Sequence, residues 1–142
     1  MNTDKLIDTY VGALVTGDAG TALTTLSADA TFHSPFNTWR GRHVPSVFRA
    51  RSSAFRDLQV RSVLRDHDRA VVLWHATVGA AQVEAAELVS TSDGAIHRVD
   101  VFLRPAAVLD AVHQAMVAAW PANGDAHPAA AAAPKSRAEG KT

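Results

Sequence analysis

Between residues 3 and 16, Leu6, Ile7, Tyr10, Val11 and Leu14 recur at helical spacing, which predicts an amphipathic helix capped by Asn2 or Thr3 and ended by Gly17. Asp18 is placed to cap a second, shorter helix carrying Leu23 and Leu26. The stretch "ATFHSP" then reads as a strand stopped by Pro35. Gly41 to Phe55 predicts a third helix with Pro45 in its first turn and Val44, Val47 and Phe48 facing inward. Period-two alternation takes over in "LQVRSVLR", "AVVLWHATV", "QVEAAELVST" and "AIHRVDVFL", four strands broken at Asp66–Asp68, Gly79–Ala81 and Asp93–Gly94. Pro105 is expected to open a last helix, in which Leu109, Val112, Met116 and Trp120 share a face before Pro121 stops it.

That order is helix, helix, strand, helix, a four-strand antiparallel meander, and helix. A meander with one apolar face must curl over the helices, leaving a cone with an open mouth, a natural place for a small apolar ligand. Alternation puts Val72, Trp74, Ala76 and Val78 on one face of their strand and Leu73, His75 and Thr77 on the other. The expected domain covers residues 1–120. Residues 121–142, Ala/Pro-rich and without bulky apolar side chains, are expected to form a disordered tail.

Composition narrows the function classes. Fourteen basic residues balance 14 acidic ones, which argues against nucleic acid as a partner. The absence of cysteine excludes a disulfide framework, a thiolate metal site and a thiol nucleophile. No apolar run is long enough to span a membrane, and "MNTDKLIDTY" lacks a basic region before an apolar stretch, so a cytoplasmic location without a signal peptide is expected. The seven histidines include no short paired spacing, and neither a metal nor a nucleotide cofactor is expected. The arginines crowd the middle of the chain, Arg49, Arg51, Arg56 and Arg61 among them. They read as a solvated face or as a patch for an anionic group on a ligand.

"YVGALVTGDAGTALTTLSADATFHSP", the helix start at Gly41 and "SDGAIHRVDVFLRP" together resemble the nuclear transport factor 2-like superfamily, most closely its SnoaL-like and ketosteroid isomerase-like branch. The resemblance spans roughly residues 4 to 105. It implies an α+β fold: a cone-shaped barrel of a curved antiparallel sheet wrapped around N-terminal helices, followed by a C-terminal helix. It also implies a homodimer through the outer sheet face and a pocket between the helices and the inner face.

The resemblance further nominates site residues. Tyr10 stands where the isomerases place a tyrosine that donates to a developing oxyanion; the alternative is a core tyrosine with a satisfied hydroxyl. The isomerase base, an aspartate before a proline, corresponds here to Ser34, which cannot take a proton without a base of its own. His33 is a candidate base beside it, although strand alternation turns it to the opposite face. Glu87, flanked by Ala85, Ala86, Leu88 and Val89, falls near the isomerase's second acid, where a desolvated carboxyl would donate a hydrogen bond or exchange a proton. A register slip would turn Glu84 or Ala86 inward instead. His97 shares an expected inward face with Val99, Val101 and Leu103, which makes it a second candidate base, with Arg98, Asp100 and Phe102 outside.

Ser34, Phe36, Trp39, Trp74, Val99 and Val101 are the expected walls of a site for a small hydrophobic molecule. Two functions fit these residues. One is cofactor-independent acid–base chemistry (isomerisation, cyclisation, dehydration or epoxide opening) on a carbonyl or polyketide-like metabolite. The other is a non-catalytic dimeric module that binds such a molecule or scaffolds a partner.

Overall fold

A computed structural model describes residues 2–121. The tail expected over 121–142 lies, apart from Pro121, outside the described residues. Helix α1 (Thr3–Thr16) begins where the Asn2 side chain accepts from the Lys5 N–H at 2.8 Å. It ends at Gly17, whose φ of 70° lets the N–H groups of Gly17 and Asp18 fold back onto the carbonyls of Leu14 and Ala13. Asp18 caps α2 (Ala19–Thr24) by accepting from the Thr21 N–H and hydroxyl.

Leu26 does not belong to α2. It opens β1 (Leu26–His33), because the Thr25 carbonyl is taken by the N–H of Ile96 and Leu26 pairs with Ile96 across the sheet. After a two-residue strand β2 (Thr38–Trp39) comes α3 (His43–Ala54), then β3 (Arg56–Asp66), β4 (Arg69–Val78), β5 (Ala81–Ser92) and β6 (Ala95–Arg104). Pro105 precedes a 3-10 turn (Ala106–Val108), and α4 (Leu109–Ala119) starts only after it.

The strands form one sheet in the order β2-β1-β6-β5-β4-β3. The meander from β3 to β6 is antiparallel, as alternation predicts, but β1 lies parallel to β6 and the sheet does not close. The expected α+β cone is therefore present, its antiparallel meander extended by a parallel β1 into an open, mixed sheet. β1 and β6 are far apart in sequence, so no hairpin obliges them to run in opposite directions.

Inward residues of β4 (Ala70, Val72, Trp74, Ala76, Val78) and β5 (Val83, Ala85, Glu87, Val89) meet α1 and α3 in a single core. α4 closes over the mouth of the cone, packing chiefly on α3, with Val112 buried and Trp120 stacked 5.1 Å from Trp39. No helix among the described residues is long and apolar enough to cross a membrane.

One break in alternation matters for the site. Ser90 pairs with Arg98, but the next residue, Thr91, pairs with Ile96, so β6 carries an extra residue at this point. That residue is His97. The bulge exposes it and returns Ile96 to the core, so the inward placement expected for His97 is corrected. His97→Ala is expected to change stability by no more than about 0.5 kcal/mol in urea unfolding, as for an exposed site without structural duty.

Candidate functional site

Four side chains from four elements converge in the core. α1 supplies Tyr10, α3 supplies Arg51, β4 supplies Trp74 and β5 supplies Glu87, with exposures of 0%, 4%, 1% and 0%. The cross-strand register sets two of them side by side: Val72 faces Glu87 and Trp74 faces Ala85, which leaves Trp74 and Glu87 as inward diagonal neighbours.

The carboxylate of Glu87 is the hub. Its Oε1 accepts from the Tyr10 hydroxyl at 2.7 Å, and its Oε2 accepts from the Trp74 indole N–H at 2.6 Å. Arg51 donates from Nη2 to Oε2 and, at 3.5 Å, from Nη1 to Oε1. The guanidinium also lies over aromatic rings, 5.4 Å from the centroid of Phe32, 5.5 Å from Phe48 and 5.7 Å from Trp74.

These contacts govern the electrostatics. Burial, and after it the negative charge of Glu87, holds the Tyr10 phenol well above its ordinary value, so Tyr10 stays a neutral donor. Burial on its own would lower the basicity of Arg51; attraction and hydrogen bonding to Glu87 outweigh it and raise it instead. The result is a buried ion pair with two further donors on its carboxylate, a satisfied network of the kind that fixes one packing arrangement.

Tyr10 and Glu87 thus come together, directly hydrogen-bonded to each other in the core. The Glu87 carboxylate accepts from three side chains. The structure separates the other catalytic candidates from them. His33 points away from the interior on β1, held between the hydroxyls of Thr31 (3.0 Å from Nε2) and Thr38 (3.3 Å from Nδ1), while its neighbour Phe32 takes the inward place. Its basicity is lowered, first by partial burial and then by Arg98. The Ser34 hydroxyl is spent on its own turn, accepting from the N–H groups of Phe36 and Asn37 and donating to the Asn37 carbonyl.

A cavity lies between α4 and the inner sheet. Ser34, Phe36, Trp39 and Val101 line it as expected, whereas Trp74 and Val99 sit in the packed core outside its lining. Its free volume is about 30 Å³, on the order of one water molecule, because Val112 and Met116 of α4 reach into the mouth. His113 joins them, 5.1 Å from the Phe36 ring. Met116→Ala is therefore expected to enlarge the cavity at a cost of about 2 kcal/mol or more, read from urea unfolding.

The sequence marks Arg51 only as one of a crowd of arginines, a solvated face or an anion patch, and does not single out His113. Arg51 continues the 44, 47, 48, 51 spacing of the buried face of α3, so an arginine at that position, opposite a strand with an inward glutamate, was the available signal. His113 shares the apolar face of Leu109, Val112 and Met116.

No protein-family model matches the chain, and no curated protein matches it. Solved structures are. A steroid delta-isomerase from Pseudomonas aeruginosa is 22% identical, with a TM-score of 0.74 over 80% of this chain and 88% of that one. A bacterial protein with a cystatin-like fold from Silicibacter pomeroyi is 23% identical, with a TM-score of 0.75 over 80% and 83% of the two chains. A nuclear transport factor 2-like protein of unknown function from Cytophaga hutchinsonii is 17% identical, with a TM-score of 0.64 over 76% and 95%.

The chain shares its α+β fold with these solved structures, nuclear transport factor 2-like and ketosteroid isomerase-like proteins among them. Within that fold it carries Ser34 before Pro35 and the Tyr10–Glu87–Arg51–Trp74 network in its interior.

Proposed function

We propose that this chain binds a small, mainly apolar molecule between α4 and the inner face of the sheet, with Val112 and Met116 of α4 moving off the mouth to make room for it, and that Glu87 holds the site in shape instead of moving a proton. The observation that carries this reading is the saturation of the Glu87 carboxylate by Tyr10, Trp74 and Arg51. A general acid or base needs a lone pair or proton directed at the ligand, and Glu87 is fully buried away from the cavity lining. The aromatic and aliphatic walls of Phe36, Trp39, Val101 and Leu103 support an apolar ligand.

Native mass spectrometry of the protein purified gently from its producing cells tests this reading. An added small-molecule mass is expected, and it should be lost in Met116→Trp, where the larger side chain occupies the space a ligand would need under α4. An empty protein that also takes up no neutral apolar probe would overturn it.

The same reading makes the protein a homodimer through the outer face of the sheet. Phe102 stands 62% exposed there beside Leu73 and Ala86. Arg61, Glu84 and Arg104 border it, a mixed-charge rim that a two-fold axis can match to itself. Light scattering is expected to give a dimer for the native chain and a monomer for Phe102→Lys with unchanged near-ultraviolet circular dichroism. A native monomer would sink the interface.

A further inference from the structure

We infer that the ligand of this cavity is an organic acid, an apolar body ending in an anionic oxygen, and that Arg51 is the residue that receives that oxygen. This inference rests on the binding reading above and adds the class of ligand. Three observations carry it.

Arg51 is a charged side chain more than nine-tenths buried that nevertheless forms part of the cavity lining. A guanidinium has five N–H donors, and Glu87 engages it through Nη1 and Nη2 only, so donors remain beyond the ion pair. Among the described residues lining this cavity, none is acidic.

The ion pair does not cancel this preference, because of where its two halves lie. Glu87 is fully buried and absent from the cavity lining, as are Tyr10 and Trp74, which donate to its carboxylate, whereas Arg51 belongs to the lining. The cavity therefore faces the positive end of a neutral cluster, across apolar walls that screen it poorly. An anionic oxygen at this point gains charge-assisted hydrogen bonds that a neutral end group does not.

Arg51 and Phe55 also border a larger cleft of about 300 Å³ at the C-terminal ends of α1 and α3. Asp18 and Asp57 line that cleft, and two helix C-termini add negative potential, so an anion is directed to the cavity under α4 instead.

Matched fluorescent probes test the inference: anilinonaphthalene sulfonate, which is anionic, and phenylnaphthylamine, its neutral counterpart. The anionic probe is expected to bind tighter by on the order of tenfold or more. Decanoate should displace phenylnaphthylamine at a concentration lower than decanol by a similar factor. Met116→Trp should abolish both probe signals; signals that survive it lie elsewhere and overturn the assignment. In the double variant Arg51→Met/Glu87→Leu, which removes the ion pair as a unit, the preference between probes should fall to about one. A preference that persists in this variant also overturns the role of Arg51.

Should the double variant fail to fold, decanoate against decanol on the native chain still decides whether charge is recognised. Equal binding of both probes and equal displacement by acid and alcohol would overturn this inference alone. Failure of both probes to bind would overturn the binding reading, and this inference with it.

Discussion

Glu87→Gln is expected to destabilise the protein by about 3–5 kcal/mol, a large share of the total for a domain of this size. The substitution keeps the size and planarity of the side chain and removes the charge. Arg51 then remains buried at 4% exposure with its counter-ion gone, beside three aromatic rings that compensate only in part. The amide nitrogen would also place a donor against the Tyr10 hydroxyl or against the N–H groups of Trp74 and Arg51, which now donate to carboxylate oxygens.

The double variant Arg51→Met/Glu87→Leu is expected to recover most of that loss, because the cost of desolvating two charges disappears together with their attraction. Urea unfolding followed by tryptophan fluorescence measures both, with Trp74 inside the network as reporter. A cost below about 1 kcal/mol for Glu87→Gln would mean that the ion pair does not form as described.

The second large effect is in alkali. Tyr10 is the single tyrosine of the chain, so tyrosinate absorbance reports on this residue alone. Its acidity is suppressed in the folded state, first by burial and then by the charge of Glu87. Below about pH 10 the folded and unfolded chains both keep the phenolic proton, and its contribution to stability is complete. Above that, only the unfolded chain releases it, and stability falls by about 1.4 kcal/mol per pH unit until the folded phenol titrates too. Tyrosinate absorbance should therefore stay absent from the folded protein and appear in the same step as loss of near-ultraviolet circular dichroism. Tyr10→Phe should remove this slope, at a cost of about 1.5–3 kcal/mol for the lost hydrogen bond to a charged group. A smooth titration at the ordinary tyrosine value in a protein that stays folded would contradict a buried Tyr10–Glu87 bond.

The network also explains which parts of the site were legible before the fold was known. Tyr10 and Glu87 each occupy an apolar face whose period is intact, so their inward placement follows from alternation and helical spacing. Arg51 obeys the same spacing on α3, but a charge at an inward position is costly without a partner, and its partner lies 36 residues away on β5. No local rule pairs them. His97 failed for a different reason: an extra residue in β6 reverses the phase of alternation, and nothing in "AIHRVDVFL" marks where it enters.

Short-range pattern determined the elements, their order, the antiparallel meander, the inward faces of β4 and β5, and the likeness to nuclear transport factor 2-like proteins. These features depend on residues a few positions apart, where spacing and turn chemistry act directly. The tertiary structure alone decided the parallel seat of β1 beside β6, the open edge of the sheet, the closure of α4 over the cavity and the pairing of Arg51 with Glu87. Each joins segments distant in the chain, and each is settled by which buried polar groups find partners and which apolar surfaces remain to be covered once the sheet has curved.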